Sequence, residues 1–354
     1  MSLTILNVAY PFAPVGPDAV GGAEQILSAL DHALVQAGHR SVVVACEGSI
    51  TEGAFVPVPA TPGPLDAERM TAARARHRRA IEQALERYPV DVVHCHGVDF
   101  HSYLPPPGVP ALVTLHLPVH WYSAGALQTQ RPDTWLQCVS QSQNESCGAN
   151  PRLLPPIEYG VPVQALGGRH AKHRFALMLS RICPEKGIHI ALDAAKLADT
   201  SLVIAGAVFP YSEHERYFFD EVRPRLDSLR RFIGPVGFAR KRWLLASARC
   251  VLVPSLVPEA SSLVAREALA AGTPVIAFRQ GAFAETVEHG RTGFLVESEE
   301  EMAEAIRNAE SIDPEACRQV ACERFPLDRM VRQYLAAYEG LRASAGTSRV
   351  SGAA

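Results

Sequence analysis

The chain has 354 residues, with 34 Lys and Arg against 37 Asp and Glu, for a formal charge of −3. At roughly 150 residues per domain, that length holds about two domains with a core each. The near-neutral balance argues against a nucleic-acid partner, and 47% apolar with 20% charged residues argues against a disordered chain.

The opening TILNVAY reads as a strand cut short by Pro11, with no basic region of the kind that begins a signal peptide. Ile26, Leu27, Leu30, Leu34 and Val35 recur at helical spacing until Gly38 supplies a stop. SVVVAC follows as a buried, parallel-type strand. After a Pro-rich connector at 56–64, Met70, Ala73, His77, Ile81, Leu85 and Tyr88 mark one face of a second helix. Its arginine run, RARHRR, is then an ordinary solvated face and not a membrane or nucleic-acid patch. DVVHC and ALVTLHL are two more strands, and CVSQSQ is expected as another.

The alternation then repeats. ALMLSRI, SLVIAG, CVLVPS, PVIAF and TGFLV read as strands, and GIHIALDAAKLA, RKRWLLASA, LVAREALAAG and EEEMAEAIRNA as helices. A polar helical stretch is expected from about Ser212 to Arg231. Strands alternating with short helices give an α/β chain of two doubly wound, Rossmann-like domains facing a central cleft, where such sheets bind ligands. The predicted boundary falls in PPIEYGVPVQALGGRHA: residues 1–163 form the first domain and 164–325 the second. Residues 345–354 are expected as a flexible tail. No run approaches the 18 or so uninterrupted apolar residues of a membrane span. Eight cysteines without a CxxC pair suit reduced, mostly buried thiols, so the expected location is the cytoplasm. Peripheral membrane contact is not favoured, and the oligomeric state is not legible.

Three constellations could carry chemistry. Glu259 and Glu267 stand eight apart, with a loop-to-helix transition at Ser261–Ser262 between them. A helix start offers free N–H groups and a positive dipole end to a phosphate, and Glu267 could grip a sugar diol. The plainer alternative is a capped amphipathic helix with two solvated glutamates. Arg181 and Lys186 follow a strand end five residues apart, a fork and a point charge suited to a diphosphate, or else plain surface cations. Gly21 and Gly22 let the backbone approach a ligand after the first strand, or simply form a flexible turn. His94 and His96 would share a strand face, yet no acidic or Cys partner sits at ligand spacing, and metal is not expected there. His116, at the end of its strand, is either a neutral hydrogen-bonder to a substrate or a packed loop histidine. Around His96, the aromatics Phe100, Tyr103, Trp121 and Tyr122 would suit stacking on an acceptor ring, or pack as loop aromatics.

Taken together, these segments resemble the retaining glycosyltransferases of family four, bacterial type, which have the GT-B fold. The likeness runs from ALMLSRICPEKG through the Glu259-x7-Glu267 pair to GTPVIAF, GAFAETVEHG and TGFLV. In the first half GGAEQ, AGH, DVVHCHG, LVTLH, CVS and YGV fall in the family's order, so the resemblance covers about residues 3–340. It implies that Arg181 and Lys186 hold the diphosphate, Glu259 the sugar hydroxyls and Glu267 the ribose. It implies that His116 contacts the sugar and that Gly21 and Gly22 approach the donor. Backbone N–H groups of Ser261 and Ser262 would meet the sugar, and those of Leu263 and Val264 the phosphate. The segment at about 326–344 resembles the family's last helix, which crosses back onto the first, acceptor-binding domain. Three positions depart from the pattern: Ser180 for the usual Gly, Tyr159 for the Asn of an NGV turn, and ASS at 260–262 for Gly-aromatic-Gly.

No DxD triplet occurs, so no metal or other cofactor is expected beyond a nucleoside-diphosphate sugar as co-substrate. The expected activity is retaining transfer of a hexosyl-type sugar to a small-molecule or saccharide hydroxyl. A sugar phosphorylase or nucleotide-sugar epimerase on the same fold stays open, as does a two-lobed binding protein. The donor base (UDP, GDP, ADP or TDP) and the acceptor are not legible.

Overall fold

The computed structural model describes residues 2–351 apart from Pro62, Pro64 and Arg169. The chain divides into two units, one of residues up to Glu158 together with those from Met330, the other Tyr159–Arg329. In the first, β1 (Thr4–Val8), β2 (Arg40–Cys46), β3 (Ala54–Val58), β4 (Val92–Cys95), β5 (Ala111–Leu115), β6 (Thr134–Cys138) and β7 (Leu153–Leu154) form one sheet. All its ladders are parallel, in the order β3-β2-β1-β4-β5-β6-β7. Every residue of β1, β4 and β5 is buried, which is why they read as unbroken apolar runs rather than alternating ones. The helices Gly22–Gln36 and Ala67–Arg87 form as their periodicity predicts, the second capped by the Asp66 carboxylate accepting from Arg69 N at 2.8 Å.

In the second unit, β8 (Phe175–Leu179), β9 (Ser201–Ala205), β10 (Arg230–Phe232), β11 (Cys250–Val253), β12 (Val275–Phe278) and β13 (Gly293–Val296) are again all parallel. Their order is β10-β9-β8-β11-β12-β13. Both sheets reverse direction of growth beside their first strand, between β1 and β4 and between β8 and β11. Loops leaving the carboxyl ends there splay apart, which makes these the natural ligand positions of a doubly wound sheet.

Several elements differ from the sequence expectations. CVSQSQ is not one strand: β6 ends at Cys138, and Ser140 caps a helix at Gln141–Ser146 by accepting from Gln143 N at 3.2 Å. The expected helix at 212–231 stops early. Ser212–Tyr217 passes into a π turn at Phe218–Val222 and a 3-10 turn holding Pro224, and Asp227 then accepts from Leu229 N and Arg230 N (2.8 Å each) to start β10. The edge strand β3 takes in residues 56–58 of the expected Pro-rich connector, Pro57 being tolerated at a sheet edge, and the helix Pro314–Arg324 is an element not expected from the sequence.

The unit boundary lies at 158/159, not 163/164. Val161 N donates to Phe325 O (2.9 Å), Leu327 N to Val161 O (3.0 Å), and the buried Arg266 to Tyr159 O (2.6 Å), tying 159–163 into the second unit. Gly160 is required there, since a Cβ would lie 2.6 Å from Leu327 Cα. The last helix, Leu327–Ser351, extends through most of the expected tail, of which 352–354 lie outside the described residues. Its residues from Met330 belong to the first unit, where Tyr334 and Tyr338 are fully buried. Among the described residues no helix is long and apolar enough to cross a membrane.

Candidate active site

In the second unit the site is assembled from the loops after β8 and β11, neighbouring strands at the switch point. Gly187 sits at φ +62°, and a Cβ on it would lie 2.1 Å from Pro254 O, so glycine lets the two loops press together. Leu256 N donates to Glu185 O at 2.8 Å and locks the register. This closeness sets the Lys186 ammonium on Glu259 Oε1, to which Ser255 Oγ also donates at 2.6 Å. The Glu259 backbone is fixed in turn, because Ala282 N donates to its carbonyl (2.9 Å) and Gly281, at φ +53°, leaves room where a Cβ would stand 2.4 Å from that oxygen.

Glu267 lies on the helix Leu263–Ala270 and is almost wholly buried, with Lys241 Nζ at 2.6 Å from its Oε1. Ser262 caps this helix by accepting from Ala265 N at 3.2 Å, and Ser261 Oγ is buried with no hydrogen-bond partner. Leu263 and Val264 occupy the first turn, where backbone N–H groups have no intrahelical acceptor. Arg181 stands apart from the Lys186–Glu259 pair, its guanidinium 5.9 Å from the centre of the Phe209 ring. The structure therefore joins Lys186 to Glu259, and adds Lys241 to Glu267. Sequence reasoning missed Lys241. It lies three and four residues before the buried Leu244 and Leu245, so helical spacing put it on the inner face.

The first unit offers a different kind of group. His94 is fully buried, its Nδ1 2.7 Å from Tyr338 Oη and its Nε2 2.8 Å from Thr114 Oγ1, with Tyr334 Oη 3.1 Å from that hydroxyl. The His96 ring lies against His94, and its Nδ1 is 3.0 Å from His116 Nε2. Burial penalises the imidazolium in all three, pushing His94 and His96 well down and His116 to about 3. Each is therefore neutral at pH 7. Gln143 holds the strand end under His116 by donating to Leu115 O and Leu117 O (2.8 Å each).

The acceptor aromatics divide. Phe100 and Tyr103 are fully buried, so they are core residues and not stacking platforms as proposed from the sequence. Tyr103 Oη donates to Asp99 (3.0 Å), which takes Arg74 Nε at 2.7 Å, and Gly97 leaves the space that the tyrosine hydroxyl fills. Tyr122 is buried, whereas Trp121 is half-exposed on the turn Val119–Trp121. Gly21 caps the first helix at φ −81°, and a Cβ there would meet only the end of the Glu24 side chain; Gly22 begins that helix.

Comparison with known proteins bears on both units. Residues 167–321 match the family described as "Glycosyl transferases group 1", and residues 20–142 match "Glycosyltransferase Family 4". An uncharacterised glycosyltransferase of Methanocaldococcus jannaschii is 29% identical over 179 residues, 49% of this chain and half of that protein. The phosphatidyl-myo-inositol mannosyltransferase of Mycolicibacterium smegmatis is 26% identical over 326 residues, 80% of this chain and 79% of that one. Among solved structures, a glycosyltransferase involved in avilamycin A biosynthesis superposes with a TM-score of 0.71 at 25% identity, covering 96% of this chain and 98% of its own.

Proposed function

The chain belongs to the group 1, family 4 glycosyltransferases of GT-B fold, and on that premise we propose that it moves a hexosyl unit from a nucleoside-diphosphate sugar to a hydroxyl of a small-molecule or saccharide acceptor, with retention at the anomeric carbon. The observation that carries this reading is the pairing of Lys186 with Glu259 at the β8/β11 switch point. An ammonium held by a carboxylate can exchange partners: a diphosphate takes Lys186, and the freed carboxylate turns to the sugar hydroxyls. Glu267, braced by Lys241, has two oxygens for the ribose diol. The helix start at Ser261–Val264 adds backbone N–H groups and a positive dipole end. Arg181 would leave the Phe209 ring to join the leaving group.

With these cations the leaving diphosphate is neutralised without a metal. The acceptor oxygen attacks the anomeric carbon on the face the diphosphate leaves, the carbon–phosphate-oxygen bond breaks, and the acceptor proton passes to the departing phosphate oxygen. Neutral His116 hydrogen-bonds the sugar and takes no part in proton transfer, since burial removes its basic form's affinity for a proton at pH 7. The name of one relative, a phosphatidyl-myo-inositol mannosyltransferase, supports a hexose donor. Eight free thiols support a cytoplasmic setting.

The test is a donor screen followed by stereochemistry. UDP-, GDP-, ADP- and TDP-hexoses are ranked by thermal shift, since a bound donor raises stability by mass action. Product from the best donor is then followed by anomer-resolved NMR in the presence of a chelator. Retained configuration with undiminished rate is expected. An inverted product, or donor consumption by inorganic phosphate in place of an alcohol, overturns the reading.

A further inference from the structure

On the loop that also carries Arg181 and Lys186, and beside it, three side chains of the second unit converge. Cys183 and Glu185 follow β8, and His214 lies on the helix Ser212–Tyr217. Their candidate ligand atoms, a thiol sulfur, a carboxylate oxygen and a ring nitrogen, all lie within 4.8 Å of one another, the one such grouping among the described residues. Cys183 is 0% exposed and His214 8%. Two polar atoms of this trio, Glu185 Oε2 and His214 Nδ1, are buried without any hydrogen-bond partner. A buried carboxylate oxygen or imidazole nitrogen left without a partner is destabilising, so two of them meeting at one thiol call for a shared partner. A cation is a partner that satisfies all three.

We propose that Cys183, Glu185 and His214 bind one divalent transition-metal ion, zinc by preference, which fastens the loop after β8 to the helix Ser212–Tyr217. The donor set selects the metal. Calcium and magnesium take oxygen ligands, whereas sulfur, nitrogen and oxygen together suit zinc, which binds three protein ligands with water in the fourth position.

The bonding balances. The Cys183 S–H gives its proton to solvent and a sulfur–metal bond forms, while the Glu185 carboxylate and the neutral His214 imidazole each donate a lone pair. Two anionic ligands then match the two positive charges of the ion. The imidazole ligates in its neutral form, so the one proton that must leave is the thiol's.

The ligands are also held in place. Glu185 O accepts from Leu256 N (2.8 Å), and the His214 ring is packed by Tyr211 at 5.1 Å and by Phe209 at 6.4 Å. Phe209 is the same ring that carries Arg181, so the ion would stiffen the loop bearing both Arg181 and Lys186 without touching the reacting atoms. No metal was expected from the sequence, where only the His94/His96 pair and the absent DxD triplet bore on one; the histidine of this trio lies 29 residues beyond Glu185.

The full-length chain is stripped with a chelator, desalted, and dialysed against micromolar zinc before metal analysis. One zinc per chain is expected, lost in Cys183→Ser and in His214→Gln but kept in His214→Cys and in Cys322→Ser. Cobalt(II) substituted in the same way should give a near-ultraviolet thiolate charge-transfer band that Cys183→Ser abolishes. Zinc in roughly hundredfold excess over its Kd should raise the wild-type thermal midpoint by several degrees and leave that of Cys183→Ser unmoved. Matching zinc-free midpoints of the variants show that they fold. Zinc well below one per chain, or equal retention by Cys183→Ser, overturns the proposal. None of these readouts is turnover, so failure here leaves the transferase reading as it was, and failure of that reading leaves the metal result standing.

Discussion

The two units share one sheet order over six strands, the first adding a seventh, yet they place opposite chemistries at their strand ends. The first presents neutral groups stripped of water: three contiguous histidines, with Thr114, Tyr334 and Tyr338 behind His94. The second presents formal charges already in pairs, Lys186 with Glu259 and Lys241 with Glu267. A desolvated imidazole can only exchange hydrogen bonds, which suits hydroxyl groups. Paired charges can exchange partners, which suits an anionic leaving group without leaving a bare ion in a half-buried site. Similar backbones thus differ in the ionisation states they permit.

The sharpest way to break that contrast is at Lys186. Lys186→Ala should lower kcat/KM for the nucleotide sugar by about a thousandfold, the order lost with one strong electrostatic contact to a developing charge. Steady-state kinetics with the best donor checks it, and near-normal turnover would remove the diphosphate from this loop. Next in size is Tyr338→Phe, which leaves the His94 Nδ1 without its 2.7 Å partner in a dry core. A loss of about 2 kcal/mol is expected in urea unfolding followed at the first unit, and an unchanged midpoint would mean the histidine layer is not bound by the last helix.

The smallest effect is the pH response of any one buried histidine. His94, His96 and His116, and likewise His77, whose pKa burial lowers to about 4, are neutral in the folded state. Below about pH 6.5 the unfolded chain binds protons that the native one refuses, so their stability contribution is complete above that value and lost as pH falls toward the native ones. Each should contribute a loss of about 1 kcal/mol between pH 7 and pH 5.5. Parallel melts of wild type and His77→Gln check this, and identical pH slopes would show that His77 is not held neutral.

The arrangement of strands was readable because buried parallel strands are continuous apolar runs, and the run boundaries located Arg181, Lys186, Glu259 and Glu267 at strand and helix ends. What escaped depends on atoms distant in sequence. Phe100 and Tyr103 follow a strand end, where aromatics serve equally as core or as platform. Only the room made by Gly97 and the carboxylate of Asp99 decides for core. Lys241 appeared as one cation among three in RKR, and its role exists only because Glu267 arrives from another helix. The trio of Cys183, Glu185 and His214 is likewise created by the turn of the chain through Phe209 and Tyr211. The broken helix after Ser212 turns on Asp227 satisfying two backbone N–H groups, a local preference that overrode a run of helix-forming residues.

The last helix gives the molecule an order of completion. On the ribosome the first unit's strands emerge before any part of the second, but His94 and Thr114 have no tyrosine hydroxyls until residues 334 and 338 arrive. The domain synthesised first is thus finished last. The second, contiguous from Tyr159 to Arg329, can fold during translation while its neighbour waits with an open core. A truncation that removes Tyr334 and Tyr338 would therefore damage the beginning of the chain more than its middle.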